Sequence, residues 1–172
     1  TQFVGAQLGE LTFAEDDMLR FEATCDVDWS DLVEYYDENA YPTRPEAILG
    51  MGGKALVRYY GDSGDATLSA IDLNTGARTP VEAVSDVCAM TPYRDGTVLV
   101  ETYNYNTPET AQLLAYDPAE DSAQLLCELE VENYYPLQGL AYDAATDTVY
   151  CAKAGEIRPV DMATGEVGEG VS

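Results

Sequence analysis

The sequence predicts an all-β fold built from repeated four-stranded antiparallel sheets. Three observations lead to this prediction: a pattern of apolar strand, aspartate and polar turn recurs, Val, Thr and Tyr dominate the strand-like segments, and Gly, Asp, Asn and Pro collect between them. The sequence shows no clear 3.6-residue apolar period of the kind that marks an amphipathic helix. Only residues 31–36 offer a competing short helical turn, which Ser30 or Asp31 would cap.

Three aspartates mark the repeat. Asp72, Asp117 and Asp161 each end a short apolar strand and begin a polar turn, and they are 45 and 44 residues apart. A fainter copy ends at Asp37, 35 residues before Asp72. A period of about 44 residues is typical of a β-propeller blade, which contains four antiparallel strands. The sequence therefore predicts a propeller-type fold of about four blades.

Each later repeat also begins with a predicted hairpin. The hairpin turns are the pairs Gly52–Gly53 and Asp95–Gly96 and the segment 144–147. Glycine and Asp-Gly suit such turns because they adopt positive φ angles readily. All repeats belong to one predicted domain, residues 1–172. The predicted blades span residues 9–44, 45–86, 87–130 and 137–170.

The ends of the chain raise the question of ring closure. Residues 1–8 precede the first repeat, and the last repeat ends in a weak outer strand at residues 165–170. We expect the N-terminal strand to complete the last blade, because an uncovered sheet edge exposes unpaired backbone groups. Otherwise the chain is a fragment of a larger propeller, and an additional domain or a second copy completes the ring.

The aspartate turns resemble a known group of repeats. Segments 70–76 (AIDLNTG) and 159–165 (PVDMATG) share an apolar strand, Asp and a Thr-Gly turn, and segment 139–143 (GLAYD) opens a blade. Over residues 45–167 the chain resembles bacterial quinoprotein-like and NHL-like β-propeller repeats. The resemblance implies a fold rather than a chemistry. Quinoprotein repeats usually place a Trp after the turn, whereas the single Trp here is Trp29, so no quinone cofactor is implied.

The chain is strongly acidic, with 32 acidic and 8 basic residues, no histidine and a formal net charge of -24. This charge argues against nucleic acid and anionic membranes as partners, because both are bound through clustered Lys and Arg. Segment 61–64 (GDSG) matches the nucleophile motif of trypsin-like proteases, but no histidine exists to activate Ser63. We interpret it as a turn. The sequence contains no apolar stretch long enough to insert into a membrane.

Residues 26–37 form the candidate metal site. Their oxygen-bearing side chains follow the spacing of an EF-type calcium loop. The candidate ligands are Asp26, Asp28, Ser30, Glu34 and Asp37. The sixth position is Asp31 instead of Gly and the twelfth is Asp instead of Glu, so a solvated acidic loop is the alternative. Calcium is thus the one cofactor that the sequence suggests, and the four cysteines favour buried free thiols over a metal site.

Tyrosines near the repeat boundaries form the candidate ligand-binding set. Adjacent strand residues point to opposite faces, so one member of each tyrosine pair is expected in the core while the other stacks on a sugar or contacts a protein. Packing between blades is the alternative role for these rings. The candidates are Tyr36, Tyr60, Tyr105 and Tyr135.

These observations predict a non-enzymatic binding or scaffolding propeller of a secreted or cell-surface bacterial protein that contacts a protein or a glycan. The alternative is a carbohydrate-active enzyme, a hydrolase or lyase that uses carboxylates and tyrosines in an axial pocket. A deep pocket lined by Asp, Glu and Arg favours the enzyme, and a flat or plugged face favours binding. No catalytic residue is assigned.

Overall fold

The computed structural model describes residues 6–13, 19–28, 33–36, 39–42, 45–60, 66–104, 110–131, 139–153 and 155–170. These residues form strands and turns, with one short 3₁₀ turn at Arg94–Gly96, so the all-β prediction is confirmed. None of them belongs to a helix with the length and apolarity that a bilayer crossing requires. The chain divides into two compact units, Thr1–Pro80 and Val81–Ser172, called here the N-terminal and C-terminal units.

The described residues of the N-terminal unit form three antiparallel sheets. Their strands are β1 (Ala6–Phe13), β2 (Leu19–Val27), β3 (Val33–Tyr36), β4 (Asn39–Pro42), β5 (Pro45–Met51), β6 (Lys54–Tyr60), β7 (Ala66–Asp72) and β8 (Arg78–Pro80). The pairs β1–β2 and β3–β4 are separate hairpins, and β5 to β8 form a four-stranded meander in chain order. The turn between β5 and β6 has φ values of 47° at Gly52 and 86° at Gly53, as predicted for a tight hairpin.

Residues 9–44 differ from the single four-stranded blade that the sequence predicts. They contribute to two separate hairpins, and residues 33–36 form β3 instead of a helical turn. Residues 6–8 of the predicted closing strand pair with β2. Leu8 is buried in the core of its own unit with Val57 and Ile71, which holds β1 there. Residues 1–5 lie outside the described residues, so closure of the last blade by them stays a prediction.

The described residues of the C-terminal unit form two sheets. The first is a four-stranded meander of β9 to β12, and the second contains β13 to β15 followed by a single bridge between Val160 and Val167. The glycine-rich sequence around Val167 explains why a bridge stands in place of a full fourth strand. The strands are β9 (Val87–Pro92), β10 (Val98–Tyr103), β11 (Thr110–Asp117), β12 (Ser122–Glu130), β13 (Gly139–Asp143), β14 (Thr148–Lys153) and β15 (Glu156–Val160).

The repeat aspartates occupy equivalent positions in their sheets, as the sequence predicts. Asp72 ends β7, Asp117 ends β11 and Asp161 follows β15, so each begins the turn after the third strand. In every case the carboxylate Oδ1 accepts a hydrogen bond from the backbone N–H two residues later, over 2.8–2.9 Å. This local capping explains why the turn can be recognised from sequence.

The hairpins β1–β2 and β11–β12 correspond in detail. Both combine a strand of 8 residues with one of 9. In β1 the register shifts after Leu8, which lies opposite Cys25, and in β11 it shifts after Leu113, which lies opposite Cys127. However, β11 and β12 are the third and fourth strands of a four-stranded sheet, whereas β1 and β2 form a sheet of two strands.

Candidate functional site

Two of the four predicted tyrosines are the last residues of strands. Tyr36 is the last residue of β3 and Tyr60 the last of β6, whereas Tyr105 and Tyr135 lie outside the described residues. The neighbouring Tyr59 is buried, and its hydroxyl is 3.1 Å from the Ser69 hydroxyl, which agrees with one core ring in a tyrosine pair. A ligand-binding role for the four candidates stays a prediction.

The predicted calcium ligands are split between elements. Asp26 lies in β2, Asp28 directly follows it, and Glu34 lies in β3, so two of the five candidates are on strands. Ser30 and Asp37 lie outside the described residues. Among the residues that the structure does describe, no group of three or more His, Cys, Asp or Glu side chains is arranged to hold a metal ion. Calcium binding by residues 26–37 stays a prediction.

The cysteines are free thiols in the described structure. Cys127 and Cys151 are buried, and Cys25 and Cys88 are partly buried, in agreement with the sequence interpretation. Burial raises the pKa of the Cys127 thiol and of the Cys151 thiol, and both are therefore held in the neutral form. These thiols fill the core of the C-terminal unit and are not nucleophile candidates.

A different set of side chains forms a cluster at the hairpin turns of the C-terminal unit. The turn between β13 and β14 is a polar loop that Asp143 caps, since its Oδ1 accepts from the Ala145 backbone N–H at 2.9 Å. The Thr146 hydroxyl also donates to Asp143 Oδ2 at 2.7 Å, and these bonds hold the pKa of Asp143 below its usual value. The turn ends at Asp147, which has a φ of 54°.

Asp147 Oδ1 accepts hydrogen bonds from two side chains. The Tyr142 hydroxyl donates to it at 2.6 Å. Arg94, from the turn between β9 and β10, donates to the same oxygen through Nε at 2.8 Å, and its Nη2 forms an ion pair with that oxygen at 2.6 Å. The Tyr142 hydroxyl and then the Arg94 guanidinium hold the pKa of Asp147 below its usual value. The Arg94 pKa is correspondingly raised, so this ion pair is fully charged at neutral pH.

Two tyrosine rings complete the cluster. The rings of Tyr93 and Tyr142 meet edge to face, with centroids 4.8 Å apart and an interplanar angle of 64°. The guanidinium carbon of Arg94 lies 5.0 Å from the Tyr93 centroid and 5.9 Å from the Tyr142 centroid, within the range of a cation–π contact. Burial raises the pKa of Tyr93. Both rings pack against the core, and this packing fixes the positions of their hydroxyl groups.

The cluster presents a rigid polar pair at the surface. The side chains of Arg94 and Asp147 are 47% and 61% exposed. Within the described part of the chain, neither Asp147 Oδ2 nor Arg94 Nη1 makes a hydrogen bond. The exposed ion pair therefore keeps one acceptor and one donor group for a ligand hydroxyl or amide.

A repeated sequence pattern marks part of this cluster, although none of the site residues predicted from sequence belongs to it. Tyr-Asp-x-x-x-Asp occurs at residues 116–121 (YDPAED) and 142–147 (YDAATD). In both copies the tyrosine hydroxyl donates to the second aspartate. The contribution of Arg94 has no such signal, because it lies 53 residues before Asp147 and reaches it only through the packing of two sheets.

Comparison with known proteins supports the fold. No family model and no curated protein sequence matches the chain. The extracellular domain of a protein described as a hybrid two-component system from B. thetaiotaomicron is similar, with a TM-score of 0.54 and 15% identity over 92% of this chain and 21% of that one. An extracellular domain described as that of a one-component system from the same organism gives a TM-score of 0.52 and 14% identity, with the same coverage.

The β-propeller domain of the Trilobed protease from Pyrococcus furiosus gives a TM-score of 0.49 and 12% identity over 75% of this chain and 42% of that one. The chain spans about a fifth of the length of the extracellular domains that it resembles. The fold is of the β-propeller type. This conclusion comes from the repeated four-stranded meanders, while the quinoprotein-like and NHL-like assignment stays a resemblance.

Proposed function

We propose that the chain is a non-enzymatic binding or scaffolding module of a secreted or cell-surface bacterial protein, and that it contacts a glycan or protein through the turn cluster of Tyr93, Arg94, Tyr142 and Asp147. The observation that carries the proposal is the exposed Arg94–Asp147 ion pair, which two hydrogen bonds to Asp147 Oδ1 also hold in place. A pair that is already ordered loses little side-chain entropy when a ligand binds.

The composition of the cluster also supports binding. Tyrosine and arginine contribute strongly to binding surfaces because their large, partly apolar side chains carry polar groups at the end. The remaining acceptor of Asp147 and donor of Arg94 suit the hydroxyls of a sugar or the amide of a peptide backbone.

The extracellular location is supported by the likeness in fold to extracellular domains from B. thetaiotaomicron. The proposal includes an additional domain or a second copy that completes the ring. Its support is that, among the described residues, β1 and β2 form a sheet of only two strands and a bridge stands in place of a fourth strand after β15.

The alternative, a carbohydrate-active enzyme, gains no support from this cluster. A glycosidase needs one carboxyl group whose pKa is raised so that it can donate a proton near neutral pH. In the turns, hydrogen bonds instead lower the pKa values of Asp72, Asp143 and Asp147, which keeps these carboxylates ionised. They are suited to accept hydrogen bonds from a ligand and unsuited to act as general acids.

An oligosaccharide array and a peptide array, each probed with the 172-residue chain, test the proposal. We expect binding on one of the two arrays, and we expect Asp147→Asn to weaken that binding at least about tenfold, the effect of losing a charge-assisted hydrogen bond. Asp121→Asn is the matched control, because Asp121 occupies the same place in the other Tyr-Asp turn, whose tyrosine is buried. Absence of binding on both arrays, or equal binding by Asp147→Asn, would overturn the proposal.

A further inference from the structure

One face of the sheet of β13 to β15 is largely apolar and yet exposed. Tyr150 pairs with Ala141 on one side and with Pro159 on the other, and Ala152 pairs with Ile157, so these side chains share a face. Ile157 on that face is 58% exposed. Asp143 and Thr148 lie at the turn end of the same face, where the Asp143 carboxylate caps the turn. We call the remaining residues of this face the outer face: Gly139, Ala141, Tyr150, Ala152, Ile157 and Pro159.

The opposite face of the same sheet is part of the core. Val149, Cys151 and Val160 are buried there together with Leu99 and Leu113 of the preceding sheet. An antiparallel sheet with one solvated face usually alternates apolar and polar residues. Here the outer face that alternates with the buried residues is itself uncharged. This composition is typical of a sheet that lies between two layers.

The repeat shows what covers the matching position in another sheet. Leu68, Leu113 and Ile157 each stand four residues before a repeat aspartate. Leu68 and Leu113 are 0% exposed, whereas Ile157 is 58% exposed. Leu113 is buried in the core that the sheet of β9 to β12 shares with the sheet of β13 to β15. The matching position at Ile157 therefore suits contact with the face of a further sheet.

The segment after β15 runs back along the outer edge of that strand. Gly168 donates through its backbone N–H to the Pro159 carbonyl at 2.9 Å, and a Cβ on Gly170 would lie 2.9 Å from Arg158 Cγ. The segment thus occupies the edge at which an additional strand would pair, while Ile157 stays exposed. A partner is therefore expected on the outer face and not at the edge of the sheet.

We propose that a second copy of this chain covers the outer face, so that the outer faces of the two copies pack against each other around a two-fold axis. Each copy carries a formal net charge of -24, and the copies repel each other at long range. The outer face suits self-association because it places no like charges in contact and is present in both copies. A basic partner would instead be attracted to the acidic surface elsewhere on the chain.

The proposal selects the second copy among the partners that the proposed function includes, and it is independent of ligand binding at the turn cluster. The six residues of the outer face form a contact smaller than the roughly 1,200 Å² of a stable interface, so we expect a weak dimer. Its dissociation constant should be on the order of 10–100 µM. Salt should strengthen the dimer, because it screens the repulsion between the two acidic copies.

Sedimentation velocity of the intact chain, from about 5 µM to about 500 µM and in about 0.05 M and about 0.5 M NaCl, tests the proposal. We expect a dimer whose fraction rises with protein concentration and with salt. A chain that stays monomeric over this whole range would overturn the proposal, and so would assembly beyond a dimer.

A pair of variants locates the contact. Ile157→Glu places a charge in the outer face and should weaken dimerisation at least about tenfold. Ile48→Glu is the matched control, because Ile48 lies on β5 and is 55% exposed, and it should leave the dimer unchanged. If Ile157→Glu dimerises as well as the parent chain, or if Ile48→Glu weakens the dimer as much, the outer face is not the contact.

Ala141→Glu, at a second exposed position of the outer face, should reproduce the effect of Ile157→Glu. Melting temperatures of both variants show whether they are folded. Ile157→Glu should also keep its binding on the oligosaccharide or peptide array, so that failure of the dimer and failure of the turn cluster are distinguishable.

Discussion

Two turns of the C-terminal unit share one sequence pattern and differ in what surrounds them. In the turn from Tyr116 to Asp121 the tyrosine hydroxyl donates to the aspartate Oδ1 at 3.2 Å, and in the turn from Tyr142 to Asp147 the same bond is 2.6 Å long. The second aspartate has a positive φ in both, 44° and 54°. The local chemistry of the two turns is therefore the same.

Their partners differ. Tyr116 is 1% exposed, and Asp121 Oδ2 accepts a hydrogen bond from the backbone N–H of Glu82 at 3.2 Å. The first turn is therefore closed, because it is bonded to the segment that precedes β9. Burial is the main reason that the pKa of Tyr116 lies well above its usual value. The second turn is open, because Asp147 is 61% exposed and meets the side chain of Arg94. The same pattern thus serves as a structural tie in one turn and as a surface cluster in the other.

The largest expected effect comes from removing the tyrosine of the closed turn. Tyr116→Ala deletes a fully buried ring, and such deletions cost about 3–5 kcal/mol because they remove apolar contacts and leave a cavity. Tyr142→Ala should cost less, since this ring is only partly buried. Urea unfolding of both variants measures the difference. Equal losses of stability would show that the two turns are not distinct in packing.

The turn that begins at Asp161 is also closed, because its Gly165 packs against the Glu128 carbonyl of β12. Gly165→Ala forces a Cβ into the carbonyl oxygen of Glu128 and also strains a positive φ, so we expect a loss of roughly 2–4 kcal/mol. Gly96→Ala is the control, because Gly96 has a φ of 81° but no atom within 4 Å of its added Cβ, and it should cost only about 1 kcal/mol. Matching losses in urea unfolding would mean that backbone strain, and not contact between β12 and the turn, sets the cost at Gly165.

A smaller effect is expected from pH. The pKa of Asp147 is lowered in the folded protein, so its stabilising contribution is present above its unfolded pKa of about 3.9 and is lost as the pH falls through the lower folded value. Titration of the Asp147 carboxyl by ¹³C NMR should give a midpoint below that unfolded value. In Tyr142→Phe the midpoint should rise, because the hydroxyl is the main cause of the shift. A midpoint that is the same in the variant would contradict the hydrogen-bond network.

Local features of the fold can be predicted from sequence, and long-range ones cannot. The turns at Asp72, Asp117 and Asp161 are recognisable because their hydrogen bonds span only two residues. The matching register shifts in β1 and β11 are not recognisable in advance, although the segments 6–8 and 111–113 both read Ala-Gln-Leu, because a register shift is defined only by the strand that pairs beside it.

The same limit applies to the turn cluster. The pairing of Tyr142 with Asp147 is local, and the sequence contains it as a repeated pattern. The contact of Arg94 with Asp147 depends on how neighbouring sheets pack, and a single sequence contains no direct signal for that packing. Most of the predicted tyrosine and calcium candidates are residues whose side chains the structure does not describe, so they remain predictions.

A comparison of Asp121→Asn with Asp147→Asn on the oligosaccharide and peptide arrays, with melting temperatures recorded in parallel, tests the distinction between the closed and the open turn. Asparagine keeps the shape of aspartate and tolerates a positive φ, so each variant removes mainly the charge. We expect Asp147→Asn to lose array binding with little change in melting temperature, and Asp121→Asn to melt earlier and keep its binding. Array binding that survives Asp147→Asn but is lost in a folded Asp121→Asn would contradict the proposed role of the turn cluster.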